Sequence, residues 1–198
     1  MLSDYRFDTV LDIGCGEGLH AEVFRKAGKK VTALDYGKSP YALANNHLMD
    51  VIIADFLWHD FGEATYDAVW CSHVLEHQAN PNLFLLKINS ILKEGGVLAL
   101  TVPPPKHQIV GGHVGLWNAG LLLYHLVLAG FDCSKAVVKK YDYNISVIVE
   151  KHSITLADKL VFDSGDITTI RPYLPAAINY QDWVDDIAFD GDIENIGF

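Results

Sequence analysis

Val10-Leu11-Asp12-Ile13-Gly14-Cys15-Gly16-Glu17-Gly18 is the stretch on which the reading of this chain turns. An apolar run of strand length, Thr9 to Ile13, stops at glycines. Leu19 to Ala27 follows with helical spacing, placing Leu19, Val23 and Ala27 on one face, and Gly28 stops it. Glycines at such a turn permit positive φ and let a ligand come close to the backbone. In open α/β sheets, ligands bind at the carboxyl ends of the strands, where this turn lies. A dinucleotide fingerprint would need its third glycine at position 19, which is Leu19.

Outward from that unit, strand and helix patterns alternate. Val31 to Leu34 reads as a second strand, and Pro40 opens a short helix through about His47. Val51 to Ala54 and Tyr66 to Cys71 read as a third and a fourth strand. Asn82 to Leu92 is an amphipathic helix with Leu85, Leu86, Ile88, Asn89 and Leu92 inward. It is closed by Gly95-Gly96 before a fifth strand, Val97 to Val102. A proline-rich loop, Pro103 to Gly115, leads to an apolar helix from about Leu116 to Ala129. Two strands near Ala136 to Tyr141 and Ile145 to Glu150 are separated only by Asp142-Tyr143-Asn144, which predicts an antiparallel hairpin. The alternation predicts an α/β, Rossmann-like domain, a mostly parallel sheet with helices on both faces.

Two acids stand where a nucleoside would need them. Asp35 ends the second strand about twenty residues after the glycine turn, placed to accept bonds from both ribose hydroxyls. Asp55-Phe56 ends the third and could offer a carboxylate to an adenine amino group and a ring to its edge. With these, the ordered motifs Leu11 to Gly16, Asp35, Asp55, Tyr66-Asp67-Ala68-Val69-Trp70-Cys71-Ser72-His73-Val74-Leu75-Glu76-His77 and Leu92 to Leu98 are complete. Over Thr9 to Val149 the chain resembles the class I S-adenosylmethionine-dependent methyltransferases. It is most similar to the broad group that includes quinone-biosynthesis and polysaccharide-cluster enzymes.

The resemblance implies a seven-stranded sheet with one antiparallel strand and S-adenosylmethionine across the ends of strands one to four. Gly14, Cys15 and Gly16 would meet its methionine portion, Asp35 the ribose, and Asp55 with Phe56 the adenine. Ser72 and His73 would line the floor, Glu76-His77 the same wall, and Asp12 and Tyr36 complete the cofactor set. Because the first strand begins near Thr9, the helix that usually covers the substrate is nearly absent. Enclosure is then expected from elsewhere in the chain or from a second copy in a homodimer.

Methyl transfer from a sulfonium asks chiefly for alignment, with the nucleophile about 3–3.5 Å from the methyl carbon. A hydroxyl or ammonium acceptor also needs a base, for which His113, His73 and His77 are the candidates and His113, in the loop after strand five, the preferred one. Strand four is not followed by an Asn- or Asp-Pro-Pro-Tyr sequence, and no acid-rich metal constellation follows it. Base methylation in nucleic acid is therefore not expected, nor a metal. The expected acceptor is a small molecule.

Composition agrees with these exclusions. A formal charge of -10 speaks against a phosphate-gripping surface, and Lys135, Lys139 and Lys140 read as solvated. Cys15, Cys71 and Cys133 are too scattered for a disulfide framework or a zinc site, and read as buried thiols of a cytoplasmic protein. The first residues lack a signal-peptide pattern, and the uncharged run Val114 to Phe131 reads as a buried helix rather than a membrane span.

Residues 1–153 form the expected cofactor-binding domain and 154–198 an acidic extension, packed on it or on a partner subunit. From Asp158 onward there are nine acidic residues against two basic ones, yet Trp183, Phe189 and many branched side chains recur. The segment is expected to fold back as a lid, and its acidity to favour a neutral or cationic acceptor. Two competing readings remain: a nicotinamide-dependent oxidoreductase and a non-catalytic, cofactor-binding partner subunit.

Overall fold

The computed structural model describes residues 1–43, 50–156, 159–178, 180–181 and 187–198. The expected helix through His47 runs into residues 44–49, and Trp183 and Val184 fall in 182–186; both lie outside the described residues.

The elements run β1 (Thr9–Ile13), α1 (Leu19–Lys26), β2 (Lys30–Asp35), α2 (Pro40–Leu43), β3 (Val51–Ile53) and β4 (Tyr66–Ser72). A 3-10 turn (Leu75–His77) follows, then α3 (Pro81–Ile91), β5 (Leu92–Val102), α4 (Ala119–Leu128), β6 (Val137–Tyr141) and β7 (Asn144–Glu150). The tail adds α5 (Asp166–Ile170), a 3-10 turn (Arg171–Tyr173), β8 (Tyr180–Gln181), β9 (Ala188–Phe189) and β10 (Asn195–Ile196). One sheet has the order β10-β6-β7-β5-β4-β1-β2-β3. Strands β1 to β5 are mutually parallel, and β7 runs antiparallel to both β5 and β6. The seven expected strands are present. An eighth, β10, joins the β6 edge antiparallel through Asn195↔Lys139 and Ile196↔Val138.

Buried strands carry the register. Val10, Leu11 and Ile13 of β1 are all inside, the two-sided burial of a parallel central strand. Their faces feed a core that runs through Val69, Leu98 and Leu100 to Phe84, Leu85, Ile88 and Ile91 of α3 and Leu122, Leu123 and Leu126 of α4.

Two helices are rotated from their expected faces. In α1 the buried residues are Ala21 and Phe24, while Leu19 is 65% and Val23 53% exposed. The ring of Phe24 decides this: it meets Phe7 at 5.9 Å and Trp70 at 5.6 Å, more apolar contact than leucine or valine could gain there. In α3 the inner side is Phe84, Leu85, Ile88 and Ile91, and Leu86 faces out. Asn80 caps that helix by accepting a bond from the Leu83 amide at 3.1 Å, which sets its phase.

The tail closes the domain from the α4 side. Leu156, Ile167, Ile170, Leu174 and Ile178 join the main core, with Phe189, Ile193 and Ile196 packed against it. Val161, Phe162 and Phe198, expected inward, are exposed. Gly120 at the start of α4 donates to the Gly191 carbonyl at 2.9 Å, and a Cβ at Gly120 would stand 2.5 Å from the Gly191 Cα. Lys135 and Lys139 are exposed as expected, and Lys140 is half-buried. Lys140 pairs with Asp192 at 2.7 Å and Glu194 at 2.8 Å, and Lys139 lies over the Phe198 ring.

Candidate functional site

The glycine turn is held by its neighbours in the sheet. Gly14 and Cys15 both donate to the Leu34 carbonyl, at 2.8 and 3.0 Å, which carries the chain off the end of β1 toward β2. Gly14 has φ 74°, and a Cβ there would lie 2.3 Å from Val74 Cγ2. Backbone conformation and the close approach of the segment after β4 both demand glycine. Asp35 is buried, accepting from the Gly16 amide at 2.9 Å through Oδ2 and from the Gly37 amide at 2.8 Å through Oδ1. It organises the turn, and each carboxylate oxygen keeps lone-pair capacity for a further donor.

Asp12 lies beneath the turn, 1% exposed, with Oδ2 unpartnered. Burial raises its carboxyl to about 7, against a lowering by the Ala21 amide and with a further push from Asp35. Across the sheet end Glu76 is fully buried, and its Oε2 also lacks a partner. The same acids reach the thiols between them: burial, then Asp12 and Asp35, lift Cys15 to about 12, while burial, then Glu76 and Asp12, raise Cys71. All three cysteines are free and buried.

Asp55 accepts from its own turn, the Leu57 amide at 2.9 Å. Phe56 faces inward, its ring 4.9 Å from Phe84 and 5.7 Å from Phe61. Its ring therefore belongs to the core and is not offered as an edge to a ligand. Tyr36 is exposed, with the Lys38 ammonium 4.8 Å over its ring.

After β4, Ser72 is in register with Thr101 of β5, and His73 takes a left-handed conformation, φ 57°, its amide donating to the Thr101 carbonyl at 2.9 Å. The His73 ring donates from Nδ1 to Glu76 Oε1 at 3.2 Å and from Nε2 to Asn144 Oδ1 at 2.9 Å. Two acceptors favour the doubly protonated ring. The Glu76 bond raises its pKa most, burial opposes, and Asn144 adds to the rise. Tyr143 stacks on it at 6.4 Å.

The third wall is the loop after β5. Val114 and Gly115 both donate to the Glu76 carbonyl, at 2.8 and 3.1 Å, tying that loop to the 3-10 turn. His77 Nδ1 donates to the Gly112 carbonyl at 2.8 Å, and Gly112, φ 80°, is where a Cβ would stand 3.2 Å from that nitrogen. The bond leaves His77 Nε2 as the lone-pair nitrogen. His113 is half-buried with its ring 4.9 Å from that of His77. It lines a cavity of about 180 Å³ with Pro103, Pro104, Lys106, Ile109, Val110, Leu116 and Tyr143. Ligand atoms of Glu76, His77 and His113 all lie within 4.8 Å of one another, a spacing that a metal could use. Glu76 Oε1 is already engaged by His73.

A wider hollow of about 820 Å³ opens at the amino ends of the strands among Arg6, Lys29, Asp67 and Lys93. Open α/β sheets bind ligands at the other end, where the glycine turn lies. No helix among the described residues is long and apolar enough to cross a membrane.

Sequence reasoning missed Tyr143, Asn144 and Lys106. The first two are distant in sequence from His73 and reach it only because β7 lies next to β5. A turn of Asp-Tyr-Asn signals a hairpin, and nothing in it signals a site.

Residues 11–100 match the family described as "Methyltransferase domain". That match spans 90 of the chain's 198 residues, and over it the chain is similar to a methyltransferase domain. Among curated relatives, the ubiquinone biosynthesis O-methyltransferase of Vibrio parahaemolyticus is 36% identical over 96 residues, covering 44% of this chain and 40% of the relative. The chain thus spans about two fifths of the length of the curated relatives it matches. Among solved structures, the Burkholderia thailandensis 1,6-didemethyltoxoflavin-N1-methyltransferase, crystallised with its didemethyltoxoflavin and S-adenosylhomocysteine, is similar at TM-score 0.62 and 20% identity. The match covers 75% of this chain and 72% of that one. The 4+2 cyclase SpnF shares the fold at TM-score 0.54 and 23% identity, over 66% and 53% of the two chains. The domain's architecture therefore supports more than one chemistry, and activity has to be argued from the site.

Proposed function

We propose that the protein transfers a methyl group from S-adenosylmethionine to a hydroxyl or amine of a small molecule, in the cytoplasm. The observation that carries this is the charge of the site. Asp12, Asp35 and Glu76 surround the glycine turn and the end of β4, and two of them keep a buried carboxylate oxygen without a partner. Buried acceptors left open cost stability unless a ligand supplies donors. S-adenosylmethionine brings an ammonium and a sulfonium, the second making its methyl group electrophilic. A dinucleotide would bring a diphosphate, which this acidic neighbourhood repels. Exposed Leu19 at the third fingerprint position also disfavours the oxidoreductase reading. Free buried thiols suit a reducing compartment.

In this reading Gly14, Cys15 and Gly16 hold the methionine portion, Asp35 and Tyr36 the ribose side, Asp55 the adenine amino group, and Ser72 the floor. His73, with both ring nitrogens engaged by Glu76 and Asn144, is a poor base and serves as a positioning group. His77 is oriented by Gly112. His113, lining the cavity, accepts the acceptor's proton.

Calorimetry tests the reading. S-adenosylhomocysteine should bind at low micromolar affinity or better, about -8 kcal/mol, and NAD should give no heat. Asp35→Ala should cost about 2–3 kcal/mol of that affinity. Binding of NAD with no response to S-adenosylhomocysteine would sink it.

A further inference from the structure

We propose that Lys106 selects the methyl acceptor, and that the acceptor is a small aromatic acid whose carboxylate is met by Lys106 at the rim of the cavity after β5. The proposal rests on the methyl-transfer reading for the word acceptor, and on the cavity alone for the anion.

The cavity wall is nearly uncharged. Lys106 is the single Lys, Arg, Asp or Glu in its lining. Its ammonium sits 3.9 Å from the centre of the Tyr143 ring, a contact that orders the side chain without neutralising it. Among the described residues no carboxylate lies within 4.0 Å of it, whereas Lys26, Lys93 and Lys140 all have acidic partners. A solvent-exposed cation held over the Tyr143 ring at the rim of an apolar cavity, in a chain of formal charge -10, is the feature that suits an anionic ligand.

His73, which stacks on Tyr143, does not compete for an anion, since Glu76 Oε1 already lies 3.2 Å from its Nδ1. Shape completes the case. Pro103, Pro104 and the Tyr143 phenol give flat walls, and about 180 Å³ holds one ring with a short substituent. That is smaller than the roughly 300 Å³ at which drug-sized pockets begin. His113 shares the lining, so a ring hydroxyl could face it while the acid faces Lys106. The acidic tail pointed toward neutral or cationic acceptors, but Asp192 and Glu194 are occupied by Lys140. No described tail residue lines the cavity.

The test compares 4-hydroxyphenylacetate with its neutral counterpart 4-hydroxyphenylacetamide by ligand-detected NMR titration. Both are titrated into wild type and Lys106→Met, with S-adenosylhomocysteine affinity measured separately. The acid should bind wild type at least about tenfold more tightly than the amide, and within about twofold of it in the variant. Cofactor-product affinity and melting temperature should not change. Equal binding of the two probes to wild type, or a preference that survives in Lys106→Met, overturns the proposal. If S-adenosylhomocysteine does not bind while the acid preference is present and Lys106-dependent, the methyl-transfer reading falls and the anion site stands.

Discussion

The two halves of this chain are built on different terms. From Thr9 to Val102 the candidate site residues stand at the carboxyl ends of β1 to β4, and local sequence announces them: a glycine turn, an acid, a second acid, a histidine pair. From Pro103 to Phe198 little is announced locally. The loop 103–115, the Asp142–Tyr143 turn and the tail acquire their roles from what they touch. His73 reaches Asn144 across β5, Glu76 receives the loop amides, and β10 adds itself to an edge that the hairpin left open. A half defined by motif tolerates changes outside the motif. A half defined by packing has no short segment that can be spared.

Removal of the tail is the largest break available. Truncation after Ser153 deletes Leu156, Ile167, Ile170, Leu174 and Ile178 from the core and Phe189, Ile193 and Ile196 from its margin. Each large side chain fully buried is worth about 1.5–3 kcal/mol, and whole domains hold only about 5–15 kcal/mol. The shortened protein should not give a cooperative thermal transition by circular dichroism, nor bind S-adenosylhomocysteine. A sharp melt near the full-length value would show that residues 154–198 dock without contributing. The tail would then be a separate unit, and the contrast between halves would end at Glu150.

That contrast also explains what could be read in advance. The succession of strands and helices through β5, and the position of Asp35 at the end of β2, follow from alternation and spacing. The face of α1 did not follow, since Phe24 outweighs the Leu19 and Val23 periodicity only once Trp70 of the neighbouring strand is known to lie opposite. Phe56 was read as ligand-facing because it adjoins Asp55, and only the packing of Phe84 shows it turned inward. Lys106 and Tyr143 carry no motif at all. They meet because two loops from different strands converge at one end of the sheet.

A medium effect is expected inside the motif half. Asp12 titrates near 7 when folded, against 3.8 as its ordinary value, chiefly through burial. Between those values the folded state holds a proton that the unfolded chain releases. Stability should therefore fall as pH rises from about 4 to 7, then level off. Asp12→Asn should show little gain near pH 4 and roughly 1–3 kcal/mol of added stability at pH 8, measured by urea unfolding. If the site keeps Asp12 for a cationic ligand, the same variant should lose affinity for S-adenosylhomocysteine while gaining stability. A gain independent of pH would mean that the carboxyl is not proton-linked to folding.

The smallest effect should come from the most conspicuous ion pair inside the second half. Lys140 holds both Asp192 and Glu194, and its backbone amide donates to the Glu194 carbonyl at 2.8 Å. The two acids are about two thirds exposed, and pairs of that kind contribute little because water and salt screen them. Lys140→Met leaves the amide bond, the β10 ladder and the apolar packing in place. It also removes the cation that separates two like charges, so a small loss at low salt is expected rather than none. The melting temperature should drop by no more than about 3 °C at low ionic strength, and the difference should shrink in high salt. A drop approaching the effect of truncation would reverse the argument. The tail would then be held by its charge, as its composition suggests, and the branched residues packed beneath it would be secondary.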